Sequence, residues 1–130
     1  IHKEIKNVIT NVVGDRLVKQ NSSGMITIGA NTGGNRIDIT NKGYGTRTLS
    51  GVKAGSITET STDAINGSQL YSMSNVVAGY FGGGASYKDG NWHAPTFTVK
   101  VFDNDGNGAD KNYKNVADAF TGVNSSFTNL

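Results

Sequence analysis

The stretch "STDAINGSQLY" (61–71) has the signals of a helix start, yet its polar side chains recur where helices usually bury apolar ones. Asp63, Asn66 and Gln69 lie three residues apart. A Ser or Thr at positions 60–61 is a candidate N-cap, which places Asp63 in the first turn, where its charge suits the helix dipole. The stretch therefore predicts a helix that begins at about residue 61 with a polar first section.

Apolar residues continue from this helix start at the alternating three- and four-residue spacing of a coiled-coil seam. The seam runs to about residue 80, where "FGGG" (81–84) is expected to end the helix because consecutive glycines disfavour it. Residues 1–14 and 113–130 show the same spacing, although an amphipathic helix on a globular core is an equal alternative for 1–14. The predicted coil-core residues are Ile5, Val8, Val12, Met73, Val77, Val116, Phe120, Val123 and Phe127.

The segments between the seams have the two-residue alternation of strands. "MITIG" (25–29) and "RIDIT" (36–40) are expected to form a hairpin, because "ANTGGN" (30–35) supplies residues that tolerate a turn. "TFTVKVF" (96–102) alternates cleanly, and "DNDGNGAD" (103–110) is predicted to be a loop. The order is coil, β-rich insert, coil, β-rich insert, coil, which is typical of a fibre.

The composition favours a core shared between identical chains. The chain has 130 residues, 18 of them Gly, and a net charge of only +2 with its basic residues scattered singly, so no nucleic-acid partner is expected. It has no Cys, which excludes disulfides and thiolate metal sites, and no apolar run long enough for a membrane helix. Because the chain begins with Ile1, we expect it to be a fragment of something longer.

The stretch "SGVKAGSITETSTDAINGSQLY" (50–71) resembles the neck motif of trimeric autotransporter adhesins, fibrous surface proteins of Gram-negative bacteria. "YFGGGASYKDGNWHAPTFTV" (80–99) and "YKNVADAF" (113–120) resemble the β-rich insert of that family that is named for its Phe-Gly-Gly motif. "GDRLVKQ" (14–20) and "ITIGANTGGNRIDIT" (26–40) are similar to its β-rich connector domains.

The resemblance implies a mixed fibrous fold, in which a parallel homotrimeric left-handed coiled coil is interrupted by interleaved β-rich layers and a neck. The implied domains are a coiled coil (1–14), a β-rich connector (15–50), the neck (51–71), a short coiled coil (72–80), the insert (81–112) and a coiled coil (113–130). The neck residues are expected to be Asp63, Asn66, Gln69 and Leu70, with Asn66 and Gln69 bonding backbone groups of neighbouring chains and Gly67 allowing backbones to approach. The insert residues are Phe81, Gly82, Gly83, Trp92 and Pro95.

The strongest candidate for a metal site is "DNDGNGADKNYK" (103–114), which matches the first positions of an EF-hand calcium loop. Position 12, where a bidentate Glu should bind calcium, is Lys114, and a strand precedes the loop where a helix should stand. A surface turn is therefore the prediction, with a weak calcium site as the alternative.

Neither a ligand site nor a catalytic site is predicted. Trp92 and His93 could line a glycan site, but the single Trp is better explained by packing within the trimer. No nucleophile, paired carboxylate or phosphate loop has the required context, so we expect no enzymatic activity, no cofactor and no small-molecule substrate.

The predicted function is that of a structural stalk segment of a bacterial surface adhesin, which carries a distal adhesive head away from the cell. The predicted partners of the chain are two further copies of itself, in a homotrimer. Host matrix or cells would be bound by other parts of the fibre. The resemblance implies anchoring in the outer membrane by a C-terminal domain outside this segment. The alternatives are a monomeric secreted glycan-binding module and a trimeric phage fibre segment.

Overall fold

A computed structural model describes residues 17–129, and the chain divides into two units between Thr48 and Leu49. The predicted coil residues Ile5, Val8 and Val12 lie outside the described residues. The elements are β1 (Val18–Gln20), β2 (Ile26–Ile28), α1 (Gly67–Phe81), β3 (Ser86–Lys88), β4 (Asn91–His93), β5 (Phe97–Phe102), β6 (Gly108–Tyr113) and α2 (Val116–Asn129).

The described residues of the first unit, 17–48, contain one antiparallel hairpin, in which β1 pairs with β2 from Val18 opposite Ile28 to Gln20 opposite Ile26. The predicted hairpin between residues 25–29 and 36–40 is therefore wrong. Residues 36–40 pair with no described residue, and β2 pairs instead with β1, the strand that precedes it along the chain. The physical reason is the turn between β1 and β2, which closes on itself through the side chain of Asn21.

Three five-residue turns share one geometry, and they begin at Asn21, Asn41 and Asp103. In each, the side-chain Oδ1 of the first residue accepts the backbone N–H groups of the third and fifth residues, at 2.9–3.0 Å. The first N–H donates to the fifth carbonyl at 2.9–3.0 Å. The fourth residue of each has a positive φ: Gly24 (90°), Tyr44 (63°) and Gly106 (82°). Two of these turns join paired strands, and the turn at 41–45 does not.

The second unit contains two further antiparallel hairpins. The β3–β4 hairpin turns through Asp89 and Gly90, which both have positive φ and match the Asp-Gly signal of a two-residue turn. The β5–β6 hairpin pairs six residues on each strand, from Phe97 opposite Tyr113 to Phe102 opposite Gly108. The predicted loop over 103–110 is thus too long, because the turn ends at residue 107 and β6 begins at Gly108.

Helix α1 ends where the glycines were expected to end it. The backbone of Gly82 donates to the Ala78 carbonyl at 3.2 Å, and Gly82, Gly83 and Gly84 all have positive φ. The Thr96 N–H then donates to the Gly83 carbonyl at 2.7 Å, and a Cβ on Gly83 would lie 2.7 Å from the Thr96 carbonyl oxygen. Any residue other than glycine is therefore unfavourable at position 83, because its backbone has a positive φ and because a side chain would overlap Thr96.

Each helix packs on its neighbouring hairpin through small residues. Helix α1 buries Ser74 and Ala78 where it packs near β3, and α2 buries Gly122 and Ser126 against the β5–β6 hairpin. Ala78 is the one buried hydrophobic residue among residues 17–129. No helix in this described part is long and apolar enough to cross a bilayer.

The contact between α2 and the β5–β6 hairpin is polar as well as close. The Ser126 hydroxyl donates to the Lys100 carbonyl at 2.9 Å and accepts the Phe102 N–H at 3.3 Å. Asn129 Nδ2 donates to the Phe102 carbonyl at 2.8 Å. These bonds satisfy the outward-facing groups of β5, which a two-stranded sheet would otherwise leave to water.

We predict that Gly122→Ala destabilises the fold although alanine is the better helix former. A Cβ at position 122 would lie 2.5–2.8 Å from the hydroxyl and ring of Tyr113, so the helix would have to move away from β6. The expected loss is about 1–3 kcal/mol of unfolding free energy. The matched control is Gly79→Ala in α1, where nothing lies within 4 Å, and there the helix propensity should add up to about 1 kcal/mol. Thermal unfolding by circular dichroism measures both, and a Gly122→Ala variant as stable as Gly79→Ala would contradict the packing described above.

Candidate functional site

The candidate site is the neck segment, residues 51–71, and its helix begins later than the sequence suggests. Asn66, with an extended backbone (φ −95°, ψ 171°), is the N-cap of α1, so the predicted cap at 60–61 is wrong. Asn66 Oδ1 accepts the Gln69 N–H at 3.3 Å, and Gln69 Oε1 accepts the Asn66 N–H at 3.0 Å. This reciprocal pair is a capping box, with Asn and Gln in the positions that more often hold Ser or Thr and Glu.

The same two amide side chains hold a distant part of the neck segment. Gln69 Oε1 accepts the Gly55 N–H at 2.9 Å, and Gln69 Nε2 donates to the Gly55 carbonyl at 2.7 Å. Asn66 Nδ2 donates to the Val52 carbonyl at 2.8 Å. These backbone groups belong to the same chain, 14 residues away, and the expected bonds to groups of neighbouring chains stay a prediction. Together the two amides bind five backbone groups, which fastens the extended residues 52–55 to the start of the helix.

Asp63 has a different role from the one predicted. The first turn of α1 has no acidic residue, and Asp63 lies before the helix, where its Oδ2 accepts the Ser56 N–H at 3.0 Å. It therefore holds the residues that precede the helix in the neck segment and is not placed to interact with the helix dipole.

Within the single chain, the backbone approaches another segment closely at Gly55. A Cβ on Gly55 would overlap the Ala64 carbonyl oxygen and lie 2.8 Å from the Asp63 Cβ. Nothing lies within 4 Å of a Cβ built on Gly67. The close approach follows from the two hydrogen bonds to Gln69, which draw the Gly55 peptide against the turn that precedes the helix.

The predicted seam residues lie on the helices and are exposed in the single chain. Leu70 is 62% exposed, Phe120 69% and Phe127 72%. Met73 is also more than half exposed. Val116 and Val123 are exposed to a smaller extent, and Val77 is half-buried. The Val116–Phe120–Val123 part of the seam, with Phe97, lines an apolar groove of about 210 Å³. The chain thus presents a continuous apolar face on α2.

Trp92, one of the predicted insert residues, belongs to an aromatic cluster beside α1. The rings of Tyr87 and Trp92 lie edge to face with centroids 5.3 Å apart, and Tyr71 of α1 meets Tyr87 at 6.1 Å. Trp92 nevertheless remains 53% exposed in the single chain, and Phe81 is exposed at the helix end. Pro95 is half-buried. The cluster attaches the β3–β4 hairpin to the helix that precedes it.

The acidic loop is organised around its own backbone. Asp103 Oδ1 accepts the N–H groups of Asp105 and Asn107, so it is engaged as a turn acceptor. Asp110 lies in β6 and forms an exposed ion pair with Lys100 at 3.0 Å. Among residues 17–129, no group of three His, Asp or Glu side chains lies close enough to hold a metal ion.

Several residues that hold this region together were not singled out from the sequence. Val52 and Gly55 belong to the stretch that resembles the neck motif, but no role was predicted for either residue, because each acts through its backbone. Ser126 has a buried hydroxyl and lies next to the apolar seam. Nothing in the sequence except its small size indicated that it packs against a strand. The Asp89-Gly90 pair was the one clear local signal, because that dipeptide is the strongest indication of a two-residue hairpin turn.

Comparison with known proteins gives a consistent set of relatives. Residues 48–91 match the family model described as the coiled stalk of trimeric autotransporter adhesin. The whole chain aligns at 34% identity with 6% of the autotransporter adhesin BadA of Bartonella henselae. At the same identity, 92% of the chain aligns with 3% of the trimeric autotransporter adhesin AtaA of Acinetobacter sp. (strain Tol 5). The chain therefore spans less than a tenth of the length of these relatives.

A solved structure is similar over almost the entire chain. It is the C-terminal stalk of AtaA from Acinetobacter sp. Tol 5, fused to GCN4 adaptors, with a TM-score of 0.74 and 32% identity. The match covers 98% of this chain and 35% of that chain. The described fold is thus similar to a stalk in its structure as well as in its sequence.

We predict that Gly55→Ala destabilises the neck segment and that Gly67→Ala does not. The new methyl group at position 55 would displace the peptide from Gln69, at an expected cost of about 1–3 kcal/mol. At position 67 the methyl group meets open space and the residue is helical, so stability should be unchanged or slightly higher. Chemical denaturation of the two variants compares them directly, and equal stability would contradict the close approach at Gly55.

We also predict that Gln69→Leu is destabilising in spite of its added apolar area. The substitution leaves both polar groups of Gly55 and the Asn66 N–H without their partner, at an expected total cost of about 1–3 kcal/mol. The control is Asn75→Leu on an exposed position of α1, which adds the same apolar group and removes none of these bonds. If Gln69→Leu melts above the unsubstituted protein, the amide clamp does not stabilise the neck segment.

Proposed function

This chain is a stalk segment of the trimeric autotransporter adhesin family, and from that premise we propose that it works as a homotrimeric spacer in a surface fibre. Three parallel copies would wrap their α1 and α2 seams into left-handed coiled coils, separated by β-rich layers. The role is mechanical: the coils supply length, and the hairpins and neck segments between them resist sliding of one chain past another. It requires no catalytic residue and no cofactor.

The observation that carries this proposal is the exposed apolar face of α2. In the sequence, Val116, Phe120, Val123, Phe127 and Leu130 are spaced four, three, four and three residues apart, which averages 3.5 residues, the period of a left-handed supercoil. Full burial of a Val or Phe side chain is worth about 1.5–3 kcal/mol, and a single chain leaves most of this unrealised. Three copies that face these residues toward one axis would remove them from water together.

The hydrogen bonds of the neck segment support the same role. The proposed domains place the neck between the connector (15–50) and the coil that begins at residue 72. Asn66 and Gln69 fasten the incoming extended chain to the helix within each copy, so a pull on the extended residues reaches the helix directly. Load on one copy would then pass into the coil that all three share.

In the whole fibre, we place this segment between the cell and a distal adhesive part. Host cells or matrix would be bound by that distal part and not by residues 17–129, and anchoring would be in the bacterial outer membrane. The aromatic cluster around Trp92 is assigned to packing between copies, because its rings already contact the helix that carries the seam.

The proposal predicts a trimer in solution. Multi-angle light scattering of the isolated chain should give three times the 13.7 kDa of one chain, and the melting temperature should rise with protein concentration because dissociation accompanies unfolding. A useful control is Phe120→Ser with Phe127→Ser, which removes the seam and should yield a single-chain mass. A monomer with concentration-independent melting in the unsubstituted protein would overturn the trimer and favour a secreted monomeric module.

A further inference from the structure

The sequence contains two Asn-Gly dipeptides, Asn66-Gly67 at the start of α1 and Asn107-Gly108 at the start of β6. An Asn followed by Gly is open to cyclisation, because glycine has no Cβ to hinder its amide nitrogen and adopts many conformations. In that reaction the Gly nitrogen attacks the side-chain carbonyl carbon of the Asn and forms a cyclic imide. The two dipeptides are alike in sequence, but the fold holds their Asn side chains differently.

The side chain of Asn66 is held at both ends of its amide. Its Oδ1 accepts the Gln69 N–H at 3.3 Å and the Ser68 hydroxyl at 2.7 Å, and its Nδ2 donates to the Val52 carbonyl at 2.8 Å. Cyclisation would turn this planar amide into a tetrahedral centre and then expel Nδ2, so the bond to Val52 would be lost and the bonds to Oδ1 would be distorted. Asn66 is also half-buried. The helix start therefore opposes the reaction.

The side chain of Asn107 is unrestrained, although its backbone is fixed. Its N–H donates to Asp103 Oδ1 at 2.9 Å, and its carbonyl accepts the Asp103 N–H at 3.0 Å. No hydrogen bond joins its side-chain amide to another residue of the range 17–129, and the residue is exposed to water. The amide can therefore rotate toward the next residue without the loss of any hydrogen bond of the turn.

The nitrogen of Gly108 is accessible on the outer side of β6. Gly108 lies opposite Phe102, whose N–H donates to Ser126 of α2 at 3.3 Å and so points away from β6. Opposed residues of an antiparallel pair either exchange both of their hydrogen bonds or form none with each other. The Gly108 N–H therefore makes no bond to β5, and the residue is exposed. An accessible nitrogen thus lies directly beside the unrestrained amide of Asn107.

We propose that Asn107 is a site of spontaneous deamidation in the folded chain and that the fold protects Asn66 from the same reaction. The Gly108 nitrogen gives its proton to water and bonds to the Asn107 Cγ, and Nδ2 takes a proton from water and leaves as ammonia. Water then opens the cyclic imide at one of its two carbonyl carbons, which gives aspartate or isoaspartate. One amide and one water thus become one carboxylic acid and one ammonia, and the reaction needs no enzyme, oxidant or cofactor.

The modification would act on the turn that closes the β5–β6 hairpin. In isoaspartate the main chain runs through the former side chain and is one methylene longer, so residue 107 cannot keep both of its bonds to Asp103. Phe102 borders this turn and is hydrogen-bonded to Ser126 and Asn129 of α2. Ageing would therefore loosen the contact between the hairpin and α2 before it affects the neck segment. This chemistry goes beyond the proposed stalk role and does not rest on the trimer, because it needs only one chain and water.

Peptide mapping by mass spectrometry tests the proposal on the full 130-residue chain, kept folded in neutral buffer and sampled over weeks. Asn107 should convert on the order of tenfold faster than Asn66, because conversion of Asn66 must first break hydrogen bonds of its side chain. In a denaturant the two dipeptides should convert at similar rates, since neither side chain is then held. An unconverted Asn107 or equal rates in the folded chain would overturn the proposal, as would the same rate difference in the denaturant.

A second experiment tests the consequence for the hairpin. Asn107→Gln leaves the backbone bonds of the turn in place and slows cyclisation, because the longer side chain has to close a larger ring. After ageing, this variant should keep its melting temperature, whereas the unsubstituted chain should melt at a lower one. The matched control is Asn124→Gln, at an exposed Asn of α2 that is followed by Ser, and it should lose stability on ageing as the unsubstituted chain does. If Asn107→Gln loses as much, or if the unsubstituted chain loses nothing, the proposed effect on the hairpin is wrong.

Discussion

A chain that encloses almost no apolar side chain has to hold its shape by directional hydrogen bonds. In the described residues Ala78 alone is a buried hydrophobic residue, so the fold depends on side-chain amides, carboxylates and hydroxyls that bind the backbone. The clamp of Asn66 and Gln69 on residues 52–55 is the fullest example, since two side chains satisfy five backbone groups. Ser126 and Asn129 do the same for β5. Such bonds fix geometry well but contribute little net stability each, typically about 1 kcal/mol.

Each helix separates local packing from the surface that other copies would contact. Ser74 and Ala78 directly follow the seam residues Met73 and Val77, so the small face of α1 lies about 100° round the helix from its seam. In α2 the order is reversed, because Gly122 and Ser126 directly precede Val123 and Phe127. The hairpins therefore lie on opposite flanks of the two seams. In the proposed trimer, the hairpins beside α1 and α2 would face different neighbours.

The sequence predicted the elements whose signals are local and periodic, and it failed where the partner is distant. The seams and the glycine stop after Phe81 follow from three- and four-residue spacing and from backbone conformation. The helix start was placed too early because Ser61 and Asp63 also have capping character, and the decisive bonds run from Gln69 to Gly55. Strand β6 was missed because "GADKNY" has no apolar alternation: it is a strand because β5 pairs with it. In the neck segment the sequence indicated the polar residues Asn66 and Gln69 but not their bonds to Val52 and Gly55 of the same chain, because those partners lie 14 residues away and act through their backbones.

The three equivalent turns separate what a short sequence encodes from what assembly decides. An Asn or Asp at the first position and a residue tolerant of positive φ at the fourth suffice for the turn, and all three segments form it. Whether the arms then pair depends on the apolar and backbone partners at each arm. β5 pairs with six residues of β6 and is hydrogen-bonded to α2, whereas residues 36–40 pair with no residue within 17–129. The turn at 41–45 therefore fixes its own backbone conformation without fixing a partner within residues 17–129 for the segments on either side of it.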